Sequence, residues 1–330
     1  MLYGVVAFAL FLFSAFRFEV GCDWSGYFFQ YMSAAGSQDF SILAQREPLW
    51  WWILHYLSDQ EIPYPVVNVV SSAIFFVGVH CLARRQPDPL SFLILLFPIL
   101  IVNMPMSGIR QGAAIGLFCI ALTSFLDGNR LKFGLWIVIA SGFHSSASVF
   151  LLLLPLVSGK YSRTRLITAL LLAIPGAIII ASGSSASLAI ERYVDSGLDA
   201  AGSAFRVGAL FLSGGFFFLF LKSSWSKKFP DDFALAHLFS LGMVALIILV
   251  PVSTVIGDRI GYFFIPVQAI IFSRIPFLNV PSKGALSLLP YLGLAAMFTT
   301  WVLISDHFNE CYVPYNNWLL GFPNDFWLGV

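Results

Sequence analysis

Charge is what this chain has least of. Asp, Glu, Lys and Arg make up only 11% of its 330 residues, where a soluble domain carries roughly a quarter. No stretch is long and polar enough for a separate soluble domain, so a single domain over 1–330 is expected. A net charge of +1 leaves no basic surface for nucleic acid. The alternating pattern of a transmembrane β-barrel is missing, as are internal repeats and low-complexity tracts. Residues 2–16 lack the charged leader and small-residue cleavage site of a signal peptide and read as a first membrane span. The four cysteines, Cys22, Cys81, Cys119 and Cys311, form neither a C-x-x-C pair nor a zinc-ligand spacing, and read mostly as core residues.

What is abundant is apolar surface. Hydrophobic residues are 58% of the chain and the mean hydropathy is +0.85. Runs at or near the ~20 residues that cross a ~30 Å hydrocarbon layer recur along the whole length. The fold class expected is an all-α, polytopic membrane bundle. About nine full spans are expected, near 2–16, 64–82, 90–105, 109–126, 166–183, 205–221, 233–252, 260–273 and 285–304. Between 131 and 157 lies a further apolar stretch, broken at Ser141-Gly142-Phe143-His144-Ser145-Ser146.

Basic residues orient such a bundle. The loops at 83–89, 127–132, 158–165, 222–232 and 273–284 hold 12 of the 18 Lys+Arg. All five lie on the cytoplasmic side only if 131–157 enters and leaves on that side, as two short helices meeting at His144. Broken helices are tolerated at membrane depth where protein or a wet cavity satisfies the freed backbone. The outer face then gathers 17–62, 106–110, 142–146, 184–204, 253–259 and the tail from 305. The run Pro48–Leu54, with three tryptophans, is too short to cross and reads as a segment that lies in the interface or dips back, with its tryptophans as aromatic anchors.

Six clusters that could carry chemistry fall on that outer face. They are Cys22-Asp23 with Tyr27; Arg46-Glu47-Pro48; Arg110-Gln111 with His144; Glu191-Arg192-Tyr193; Asp258-Arg259 with Tyr262; and Cys311-Tyr312-Val313-Pro314-Tyr315. Each also has an inert reading. Asp23 and Glu47 are acceptable as solvated acids, Asp258-Arg259 as a structural ion pair, and His144 as a group satisfying broken helix ends. Arg110 is harder to dismiss, because a cation at membrane depth costs roughly 2.5–3.5 kcal/mol and is usually turned toward a wet cavity and used there. Arginines beside carboxylates and a histidine suit an anionic leaving group attacked by a hydroxyl. The guanidinium binds phosphate through two parallel hydrogen bonds, and an imidazole or carboxylate can take the hydroxyl proton. Tyrosine and tryptophan suit sugar faces. Asp59-Gln60-Glu61 is the single D-x-E of the outer face and reads as a solvated turn, so neither metal nor cofactor is expected.

Taken in order, these motifs resemble the EpsG/Wzy-type family of bacterial polysaccharide polymerases. The resemblance rests on G-x-D-x-x-x-Y at Gly21, Asp23 and Tyr27, E-P at Glu47-Pro48 and R-Q at Arg110-Gln111. It continues with F-H-x-S-A at Phe143, His144, Ser146 and Ala147, D-R-x-x-Y at Asp258, Arg259 and Tyr262, and Y-x-P-Y at Tyr312, Pro314 and Tyr315. It implies a GT-C-like bundle that joins oligosaccharide repeat units carried on undecaprenyl pyrophosphate at the outer face of the cytoplasmic membrane. A repeat-unit flippase and a chain-length regulator would be partners. On this reading Arg110 and Arg259, with Arg192 as a third, hold the pyrophosphate. Asp23, Glu47 or His144 is the base, with His144 preferred. Gln111, Asp258, Tyr27, Tyr262 and Tyr315 line the substrate. Arg192 matches the family pattern only loosely. Cys22 and Cys311, both outside, could form a disulfide between the first loop and the tail. The competing readings are a flippase for the same lipid-linked sugars, a membrane acyltransferase acting on surface sugars, and a glycosyltransferase using a polyprenyl-phosphate sugar.

Overall fold

The structure, a computed structural model, describes residues 1–36, 47–157, 164–165, 167, 202–251 and 253–321. Regular structure among them is helical apart from one isolated bridge, Arg17 with Asn317. The expected span at 166–183 lies outside the described residues, as do Arg46, Glu191, Arg192 and Tyr193.

Proline and short polar side chains set where the helices begin. α1 is Leu2–Ala15, α2 Trp24–Gly36, α3 Pro48–Asp59, α4 Pro65–Ala83 and α5 Pro89–Leu96. The last three open on proline, whose missing N–H is one the first turn could not have used. Asp88 caps α5 by accepting from the amides of Leu90 at 3.1 Å and Ser91 at 3.0 Å. α5 then widens into a π-turn, Phe97–Ile101, at Pro98, which cannot donate back and crowds the preceding turn. α6 is Ile109–Leu126 and α7 Arg130–Phe143. α8, Ser203–Phe216, runs through a second π-turn, Phe217–Leu221, into α9, Lys222–Lys228. α10 is Phe233–Ala245, α11 Thr254–Tyr262, α12 Ile265–Ser273, α13 Lys283–Ile304 and α14 Asp306–Tyr312.

Among the described residues, four helices are long and apolar enough to cross a membrane: α4, α6, the α8–α9 run and α13. α11 and α12 make a fifth if taken as one span bent by 50°. The chain is therefore a helical membrane protein. The expected span at 260–273 is this bent pair: Pro266 has no N–H to give and its ring presses on the carbonyl of Tyr262, so the helix stops there. α1 matches the expected 2–16 to within a residue, whereas α10 ends at Ala245, short of the expected 252. Of the four, α6 is the most enclosed, with 83% of its apolar window buried, whereas α13 has 11%.

The chain divides into two compact units, 1–119 with 139–145 and 289–330, and 120–138 with 146–288. In the first, α1 packs on α4 and α2 on α3. α4 and α6 touch backbone to backbone: a Cβ on Gly78 would lie 1.8 Å from the Gly116 carbonyl oxygen, and one on Gly116 2.5 Å from the Phe75 Cα. Trp50, expected as an interfacial anchor, is instead fully buried and donates its indole N–H to Gln30 at 3.0 Å. Trp52 is exposed.

In the second unit α8 packs on α10 and α11, and α10 on α12, around Phe150, Phe239, Phe263 and Phe264. The two ends of the broken 131–157 stretch meet, Arg130 Nε donating to the Val157 carbonyl at 2.8 Å. α7 runs out to Phe143, and a 3₁₀ stretch, Ser145–Leu156, returns. The hairpin expected from charge is present, with its turn at His144. The loops at 222–232 and 273–284, expected on one side, also meet, through an ion pair between Arg274 and Asp232 and through the Ser224 hydroxyl with Asn279.

Candidate active site

Glu47 stands at the N-cap position of α3 but does not cap it. Pro48 behind it has removed one of the amides that would need a cap, so the carboxylate is available elsewhere. Its Oε2 pairs with Nη1 of Arg110, and its Oε1 accepts from the backbone N–H of Ser145 at 3.2 Å. Three short motifs, at 47, 110 and 144–145, thus converge on one carboxylate. Arg110 sits in the first turn of α6, the positive end of the helix dipole, where a cation needs an acid beside it and where an anion is welcome. Its guanidinium also lies over the Tyr27 ring, 5.6 Å from the centroid. The pair is largely withdrawn from solvent, with side-chain exposures of 24% for Arg110 and 10% for Glu47.

Tyr27 packs edge-on against Trp50, 5.3 Å between centroids. Burial raises its phenol above the ordinary value; the Arg110 charge opposes this and the Asp23 charge adds to it. Asp23 is exposed, one turn before Tyr27, and its backbone N–H donates to the Ser107 hydroxyl at 3.3 Å. His144 and Gln111 are buried, His144 donating its backbone N–H to Ala140 at 3.0 Å as α7 ends. The first unit therefore brings together Glu47, Arg110, Tyr27 and the His144–Ser145 turn.

Behind this cluster the tail is clasped to the segment before α2. Cys22 and Cys311 form a disulfide, S–S 2.07 Å, across 289 residues. The Gly21 amide donates to Cys311 at 2.7 Å, Phe18 to Asn316 at 2.9 Å and Trp318 to Phe16 at 2.9 Å. Gly21 has φ +103°, and a Cβ there would fall 1.9 Å from the Met106 carbonyl oxygen, so only glycine fits. Arg17, which no motif singled out, is buried here: its Nε donates to that same Met106 carbonyl at 2.7 Å and its guanidinium covers Trp24. Tyr315, an expected substrate contact, stacks on Phe13 at 4.7 Å and donates to its carbonyl at 2.6 Å, which makes it part of the clasp. Asp59 and Glu61 are both exposed.

The second unit holds a matching trio. Asp258 is bound by Arg206, Nε to Oδ1 at 2.7 Å and Nη2 to Oδ2 at 2.9 Å, and the Arg206 guanidinium lies over Tyr262 at 5.3 Å. Arg206, Asp258 and Tyr262 sit among Val207, Leu210 and Ile265 with no room between them for a water molecule. Asp258 was expected beside Arg259. Successive residues on a helix point apart, and the carboxylate reaches across to α8 instead. Arg259 is half-buried on α11. Arg206 was missed, although its signal equals that of Arg110, a lone arginine in the first turn of an apolar helix.

A family model, the EpsG family, matches residues 1–317. The chain belongs to the EpsG family. Membership and the apolar helices together point to polysaccharide polymerisation at a membrane as the role of this EpsG-family protein. No curated protein and no solved structure matches the chain.

Proposed function

We propose that this EpsG-family chain polymerises undecaprenyl-pyrophosphate-linked oligosaccharide repeat units at the outer face of the cytoplasmic membrane, through a GT-C-like bundle acting as one membrane domain. The observation that carries the reading is the convergence of Arg110 and the His144–Ser145 turn on the Glu47 carboxylate, with Tyr27 against the Arg110 guanidinium. In the reaction, a sugar hydroxyl of the acceptor unit attacks the anomeric carbon of the donor chain. The bond from that carbon to the pyrophosphate oxygen breaks, and undecaprenyl pyrophosphate departs with the electron pair. Arg110, at a helix N-terminus, holds the developing negative charge. His144 takes the hydroxyl proton. Glu47, already engaged by a guanidinium and an amide, serves better to position Arg110 than to act as base. Asp23, exposed above Tyr27, orients the acceptor sugar. Arg259 and Arg192 add positive charge for the diphosphate. A flippase supplies the units and a chain-length regulator limits the product.

The test is reconstitution with lipid-linked repeat units and separation of products by size. His144→Ala should abolish polymer and leave single units, with folding checked by unchanged Cys22–Cys311 closure. Normal polymer lengths from that variant would remove His144 as base, and normal lengths from Arg110→Ala as well would sink the reading.

A further inference from the structure

We propose that Cys22–Cys311 is an exchangeable disulfide, opened by a dithiol partner that attacks Cys311 while His307 receives the departing Cys22 thiolate. The pair is bonded, half-buried rather than sealed, and flanked by an exposed histidine. His307 Nε2 lies 3.0 Å from the Cys22 sulfur, while its Nδ1 is 3.9 Å from the Cys22 sulfur and 4.0 Å from that of Cys311. His307 and Cys311 are four residues apart on α14, on one helix face, so the imidazole is held in register with the bond. A disulfide that only braces a fold needs no such group.

Exchange proceeds by attack of a thiolate on one sulfur and release of the other as thiolate, and it is faster when the leaving thiolate is stabilised. A cation or protonated imidazole beside a thiolate provides that stabilisation. The close approach of Nε2 to the Cys22 sulfur sets the direction: Cys22 leaves and Cys311 is attacked. In the first step one thiolate of the dithiol bonds to the Cys311 sulfur, the Cys22–Cys311 bond breaks, and Cys22 departs as a thiolate paired with protonated His307. In the second step the other thiolate of the dithiol attacks its own sulfur in the mixed disulfide and Cys311 departs. The dithiol is oxidised to a disulfide, the cysteine pair gains two electrons, and two protons complete the two thiols. The backbone bonds from Gly21, Phe18 and Trp318 keep the two strands of the clasp together, so reversal by an oxidised partner remains possible.

The experiment reads thiol chemistry rather than polymer, so it stands apart from the polymerase reading. The full-length protein in detergent is exposed briefly to glutathione, quenched with N-ethylmaleimide and mapped by mass spectrometry, with buried Cys119 as the unreactive reference. Glutathione is expected on Cys311 and maleimide on Cys22. His307→Gln, with an unchanged thermal midpoint, should slow reduction by dithiothreitol about tenfold, the order expected from losing about 1.4 kcal/mol of leaving-group stabilisation. Equal reduction rates in the two proteins, or glutathione on Cys22, would overturn the proposal. So would a reduced wild-type protein that takes up one Zn²⁺ on Cys22, His307 and Cys311 and forms no mixed disulfide, because the cluster would then be a metal site.

Discussion

Each unit carries an arginine, a tyrosine and a carboxylate, in different arrangements. In each, an arginine from the first turn of a helix lies over a tyrosine and meets a carboxylate from another helix. In the second unit Arg206 grips Asp258 with two nitrogens on two oxygens, a closed fork. In the first, Glu47 divides its oxygens between Arg110 and the amide after His144, and so joins three separate segments. A fork holds two helices together, while a shared carboxylate positions a turn. Like groups therefore support different work.

Removing the carboxylate should have the largest effect and should fall on both sides of this contrast. Glu47→Ala and Asp258→Ala each take the carboxylate from a mostly buried guanidinium, and each should lower unfolding free energy in detergent by about 3 kcal/mol. Glu47→Ala should in addition release the Ser145 turn, seen as faster amide hydrogen exchange at 144–146. Unchanged exchange there would erase the distinction. Lysine substitution separates the pair next. Arg206→Lys loses the fork and about 1–2 kcal/mol of stability. Arg110→Lys should cost less stability but lower polymer output on the order of 100-fold. Equal losses of output would mean that both trios bind substrate. The smallest effect is at the rings: Tyr27→Leu and Tyr262→Leu each forfeit a cation–π contact of about 0.5–2 kcal/mol, and the two losses should agree within error if the rings play the same part.

Much of this was legible beforehand because membranes punish polar residues. Glu47, Arg110 and His144 stood out against an apolar background, and their convergence followed from counting basic loops. The same count required the hairpin that Arg130 and Val157 close. Cys22 and Cys311 could be paired in principle because both fell on one side. Partners across helices were not legible. Asp258 next to Arg259 looked like a local pair, yet its true partner lies 52 residues away. Arg17 and His307 looked like ordinary loop and tail residues, since burial of one and adjacency of the other to a disulfide arise only from how the tail folds back. The bend between α11 and α12 was readable from Pro266 but was obscured by an unbroken apolar run.

The contact between Gly78 and Gly116 leaves no side chain between α4 and α6 to absorb displacement. Gly116 is six residues along α6 from Arg110, about 9 Å down the helix axis. Any tilt of one rod is therefore transmitted to the other undamped, like two meshed gear teeth. The guanidinium is aimed by a pair of hydrogen atoms well away from it, and a single added methyl there would misdirect it without touching any charged group.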